Sequence, residues 1–349
     1  MTEPTVRERI FPQMRAYDAM PAGRIVPFAM LAGPAELRSA TINTDRFGFR
    51  WTRSSHGVRT AEGIRGMRDV SVIVGGSTVF GVGATADDQT IASMLDESMG
   101  TPWLNFGIRG GVSFQEVIHT LRFVHEPASV RALVLFSGVN DTYINLLHEH
   151  TGEFDRRFEE QDSILGFFHW RRQALSSLLS RFYGTSAESL VGLPLRDMLL
   201  YPIRRPAPPP PPPRLSAEER IERLHQLTRR NALVYAALAK QLGCQPLYVL
   251  QPFLSWTGKT QSADERAVMQ FLLDSQAGTA WRESYELMKR PETYAAIREA
   301  LRGAMEEYGI PFVDANPAFN TDETLFVDHV HLNDAGHRIA AHLIERHLK

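Results

Sequence analysis

The chain has 349 residues, 43% of them hydrophobic and 22% charged, enough for a large core in one elaborated domain or two. A formal net charge of −2 leaves no basic footprint, so no nucleic-acid partner is expected. The single cysteine, Cys244, excludes an internal disulfide and fits a reducing compartment.

Residues 1–24 mix Glu3, Glu8 and Asp18 with basic residues and hold no apolar run of signal-peptide length. No stretch approaches the ~18 apolar residues of a spanning helix. The expectation is a soluble, cytoplasmic protein. Residues 1–69 show weak periodicity and read as an N-terminal extension packed on the core. Within them Thr41–Trp51 is dense in aromatics and arginine. It reads as a strand or turn beside the main sheet, or as a wall of the substrate site.

From Val70 the pattern becomes strand, loop, helix, repeated. Ser71–Val74 is apolar and β-branched, as in a buried strand, and Gly75-Gly76 then allow a tight turn before Ser77. A helix is predicted over about 89–98. The second strand is Trp103–Ile108, followed by Arg109-Gly110-Gly111. Ser113 to Val124 has helical spacing, with Ser113 as N-cap and Glu116 completing a capping box. The third strand, Ala132–Ser137, leads into Gly138-Val139-Asn140-Asp141.

The pattern breaks over about 142–215, which reads as an insertion. It holds irregular aromatic-rich helices and the proline run Pro208–Pro213, a stiff spacer or a ligand for an aromatic-grooved partner. Ser216 and Glu219 then box the start of a helix with Ile221, Leu224, Leu227, Val234 and Leu238 on its apolar face. The fourth strand is Pro246–Leu250, a helical stretch covers about 284–308, and the fifth strand is Ile310–Asp314. A helix over about 335–347 ends the chain. Continuous apolar strands alternating with helices predict a flavodoxin-like three-layer αβα fold with a five-stranded parallel sheet, residues 70–349 forming one domain.

In such a sheet the loops at the carboxyl ends converge. They carry Ser77, Gly110, Asn140, Asp328 and His331. A serine needs a base to become a nucleophile, His331 has the right chemistry, and Asp328 three residues earlier can fix its tautomer. Backbone N–H groups of Ser77 and Gly110, with the Asn140 amide, suit an oxyanion. The frame is not Gly-x-Ser-x-Gly, and no lysine follows Gly75-Gly76 as a phosphate loop requires. His329 with His331, or His148, Glu149 and His150, offer metal-type side chains, but no metal is expected. No cofactor is expected either. Arg109 has two readings, a contact to an anionic or sugar substrate and a surface salt bridge.

The chain resembles the SGNH, or GDSL-like, hydrolases. The four blocks appear in order as Gly75-Gly76-Ser77, Asn105–Gly110, Gly138–Asp141 and Asp328–His331. The resemblance spans about 70–145 and 245–349. It implies Ser77 as nucleophile, His331 as base, Asp328 as its orienter, and Ser77, Gly110 and Asn140 as the oxyanion hole. The choice of Gly110 over Gly107 rests on the resemblance. The Asp that commonly precedes the serine is Gly76 here. The implied activity is a serine esterase acting on O-acyl esters, O-acetyl esters among them, of a carbohydrate or similar small molecule. An O-acyltransferase using the same acyl-enzyme, and a binding protein without turnover, are the alternatives. The oligomeric state is left open.

Overall fold

The computed structural model describes residues 3–21, 24–26, 30–147 and 215–349. The chain divides into two compact units, one of Met1–Arg24, Leu31–His148 and Ser216–Lys349, the other of Ile25–Met30 and Glu149–Leu215. The sheet and the candidate site belong to the first. The proline run, His148, Glu149 and His150 lie outside the described residues.

Five parallel strands form the sheet: β1 (Val70–Gly75), β2 (Trp103–Gly107), β3 (Val130–Ser137), β4 (Gln245–Leu250) and β5 (Phe312–Asp314). Their spatial order is 2-1-3-4-5, the flavodoxin-like order, with every neighbouring pair parallel. Every residue of β1 and β2 is buried, so both sheet faces are covered there and each strand reads as a continuous apolar run rather than an alternating one.

The helices are α1 (Val6–Ile10), α2 (Met14–Asp18), α3 (Ser77–Phe80), α4 (Ile91–Met99), α5 (Ser113–Phe123), α6 (Val139–Leu147), α7 (Ala217–Leu242), α8 (Ala263–Ser275), α9 (Ala280–Met288), α10 (Pro291–Glu307) and α11 (Asp334–Leu348). Helix α7 packs on α5, α6 and α10, and α11 packs on α4. The Ser216/Glu219 capping box at α7 is present, and Gly243 closes it in the left-handed conformation.

Four features differ from expectation. Ser113 is the first residue of α5 rather than its cap: Gln115 Oε1 accepts from the Val112 N–H at 3.0 Å, and Glu116 instead accepts from Ser137 Oγ at 2.9 Å. The helical stretch at 284–308 is two helices. Pro291 has no N–H to continue α9 and so starts α10. Helix α8, boxed by Ser262 and Glu265, was not anticipated. The stripe α7 buries also runs through polar Thr228 and Asn231, because Asn231 Nδ2 donates to Ser113 Oγ at 2.7 Å.

Candidate active site

The site is assembled at the carboxyl ends of the strands. Gly75 lets β1 lie against β3, since a Cβ there would fall 2.2 Å from the Phe136 carbonyl. Ser77 opens the single-turn helix α3, which Gly81 ends at φ +90°. Asn105 straps that turn to β2. Its Nδ2 donates to the Val79 carbonyl at 2.7 Å, while its Oδ1 accepts the Gly107 N–H at 2.9 Å. The Gly107 N–H is therefore spent, and Gly107 is too tightly packed on Phe80 to carry a side chain.

Asp328 and His331 sit in a small hairpin closed by the Phe326–Leu332 bridge and by the Val327 N–H on the His331 carbonyl at 2.9 Å. Glu265 anchors its base, accepting from the Leu325 and Phe326 N–H groups at 2.9 and 3.2 Å while ion-paired to buried Lys259. Thr78 Oγ1, next to Ser77, reaches the Val330 carbonyl at 3.4 Å.

This brings Ser77 Oγ to 2.7 Å from His331 Nε2, and His331 Nδ1 to 2.7 Å from Asp328 Oδ2. The Nδ1–H tautomer donates to the carboxylate and leaves Nε2 free to accept the serine proton. Asp328 is almost wholly buried and accepts four hydrogen bonds: the Val330 and His331 N–H groups on Oδ1, and His331 Nδ1 and Arg7 Nη1 on Oδ2. Burial opposes its charge, but His331, His329 and Arg7 outweigh burial and hold the carboxyl well below the usual range.

Ser77, Gly110, Asn140 and His331 line one cavity of about 490 Å³. Gly110, at φ +72°, donates its N–H to nothing among the described residues. Asn140 Nδ2 gives one hydrogen to the Gly111 carbonyl at 2.6 Å and has a second to give. A Cβ on residue 76 would lie 2.7 Å from that nitrogen, so Gly76 makes the room in which the Asn140 amide stands.

Arg7 was missed in the sequence. Its guanidinium bridges Asp18 and Asp328, so helix α1 fastens to the carboxylate behind His331. The available signal was local: Thr5 and Glu8 form a capping box that marks α1. The Thr41–Trp51 stretch does not line the cavity. Arg50 is fully buried, with Nε on Asp87 at 2.9 Å and Nη1 on the Tyr17 hydroxyl at 2.6 Å. Arg109 lines the cavity and makes no ion pair among the described residues. His331 is engaged by Ser77 and Asp328, whereas His329 packs among aromatic rings. Its ring lies edge-on to Trp281 at 5.2 Å, and burial lowers its pKa to about 4. Among the described residues no cluster of three His, Cys, Asp or Glu side chains is placed to hold a metal.

No family model and no curated protein matches the sequence. Among solved structures the chain is similar to an acetyl xylan esterase at 12% identity and a TM-score of 0.38, over 80% of this chain and 100% of that one. It is similar to a carbohydrate acetylesterase family member from Sinorhizobium meliloti at 12% identity and a TM-score of 0.40, over 81% and 99%. A lipolytic G-D-S-L family member from Veillonella parvula aligns at 12% identity and a TM-score of 0.37, over 79% and 96%. At such scores the likeness carries no conclusion about activity, and the fold stands on the strand registers themselves.

Proposed function

We propose that the protein is an SGNH-type serine esterase. The observation that carries this is the unbroken chain of two 2.7 Å hydrogen bonds from Ser77 Oγ through His331 to Asp328. His331 Nε2 takes the hydroxyl proton as Ser77 Oγ attacks the ester carbonyl. Asp328 holds the ring and balances the imidazolium that forms. The carbonyl oxygen becomes an oxyanion, for which the Ser77 and Gly110 N–H groups and the free hydrogen of Asn140 are donors. The tetrahedral carbon then expels the alcohol, which takes its proton from His331. Water, deprotonated by His331, attacks the acyl-enzyme and releases the acid and Ser77.

The substrate class is an O-acyl ester, O-acetyl esters of carbohydrates included. The test is release of p-nitrophenol from short-chain p-nitrophenyl esters by wild type, Ser77→Ala and His331→Ala. Both variants are expected to lose about 10⁴- to 10⁶-fold in kcat, because the members of such a triad act as a unit. Variants as active as wild type would remove Ser77 and His331 from the chemistry.

A further inference from the structure

The cavity at Ser77 holds a cation that no described residue pairs. Among the described residues two guanidinium groups line it, Arg7 and Arg109, against one lining carboxylate, Asp18. Arg7 is occupied on both sides, by Asp18 and by Asp328. Arg109 is half-buried and makes no hydrogen bond or ion pair among the described residues. Burial disfavours its charged form by more than Asp18 and Tyr17 favour it, and Arg7 adds a smaller repulsion. A partly desolvated cation without a direct partner costs free energy. A ligand anion would offset that cost. The guanidinium fork matches a carboxylate or phosphate in bidentate geometry, and such charge-assisted bonds are the strong ones. Arg109 adjoins Gly110 in the chain and lines the same cavity as Ser77 and Asn140, so an anion held by Arg109 sits in the cavity where the ester carbonyl reacts.

We infer that Arg109 is an anion subsite and that the ester turned over at Ser77 carries a carboxylate or phosphate group, as an O-acylated acidic saccharide does. This rests on the esterase reading above. It makes Arg109 a specificity residue for that reaction.

The experiment compares acetate release from three esters by the full-length chain: a methyl O-acetyl-glucuronoside, an O-acetyl-glucose 6-phosphate and a neutral methyl O-acetyl-glucoside. At least one anionic ester is expected to exceed the neutral one by about 10- to 100-fold in kcat/KM, the worth of a hydrogen bond to a charged group. Which anionic ester leads identifies the group. Arg109→Gln should bring the ratio of anionic to neutral ester close to one, and Arg109→Lys should restore part of it. Equal turnover of all three esters by wild type, or an unchanged ratio in Arg109→Gln, overturns the subsite. If wild type hydrolyses none of them, the esterase reading is what fails, and binding decides the subsite. Methyl glucuronoside or glucose 6-phosphate should then bind wild type more tightly than methyl glucoside in NMR titrations, with the preference lost in Arg109→Gln. Equal binding of acidic and neutral sugars overturns it.

Discussion

At the scale of single residues, Gly76 is the position where this chain departs from the pattern it resembles, and its neighbour explains why. Its φ of −79° is not left-handed, so a positive φ is not what calls for glycine here. It is there because the Asn140 amide occupies the space a side chain would take. Gly76→Ala should push Asn140 off the Gly111 carbonyl and away from Ser77. The obstructed atom is the end of a side chain, so the fold should tolerate the change. Loss of one oxyanion donor is worth about 10²–10³ in kcat. The expected outcome is a fall of that size on p-nitrophenyl acetate with an unchanged urea midpoint, and an unchanged kcat would remove Asn140 from the oxyanion site. Ser77 and Asn140 stood out in the sequence because each follows a strand within a few residues, and Asp328 and His331 because they stand three residues apart in one short block. Arg7 did not, because its partner Asp328 is 321 residues away and nothing local to Arg7 announces the pairing.

At the scale of elements, the segment between Asn43 and Arg50 is a clamp. The Asn43 N–H and Nδ2 and Arg50 Nε all reach Asp87, and Arg50 Nη1 continues to the Gly81 carbonyl at 2.7 Å and to Tyr17 of α2. The same guanidinium thus ties α2 to the end of α3, the helix that begins with Ser77. Arg50→Met would leave the Asp87 carboxylate and the Gly81 carbonyl short of their buried partner. Breaking a buried pair in this way costs about 3–5 kcal/mol, a large part of the stability of a typical domain. Urea unfolding should report that loss, and a change below about 1 kcal/mol would show that the pair contributes nothing net. From the sequence this segment had two readings. Composition does not say whether an arginine faces a ligand or a carboxylate, and here burial against Asp87 decides it.

At the scale of the whole molecule, buried carboxylates pull stability in opposite directions with pH. Burial pushes the Asp45 carboxyl up to about 6, although the Phe49, Ala61 and Phe47 N–H groups donate to it. The native state therefore binds its proton more tightly than the unfolded chain, whose carboxyl titrates near ~3.9. Stability at this site is full below about pH 4 and falls as pH rises to about 6, by about 3 kcal/mol in all. Asp328 has the opposite sign. Its native pKa is depressed, so its contribution is present above ~4 and is lost as pH falls further. Asp45→Asn keeps the neutral form at every pH, so its destabilisation should be larger at pH 4 than at pH 7 by up to about 3 kcal/mol. Urea unfolding of both proteins at the two pH values measures this, and an equal cost at both would mean that Asp45 is not held protonated by the fold.

The sequence by itself determined the five-stranded sheet and singled out Ser77, Asp328 and His331, which the fold brings within hydrogen-bond reach of one another. Short continuous apolar runs bounded by glycine turns and alternating with amphipathic helices fit strands buried on both faces, and side chains on the loops at their carboxyl ends gather along one edge of a parallel sheet. Only the tertiary structure decided what surrounds the triad. Arg7 behind Asp328, Asn140 in the space left by Gly76, and the Arg109 guanidinium without an ion pair among the described residues all depend on how residues distant in the chain come together. The strength of such contacts is set by burial and by competing partners, which residue type and spacing do not encode.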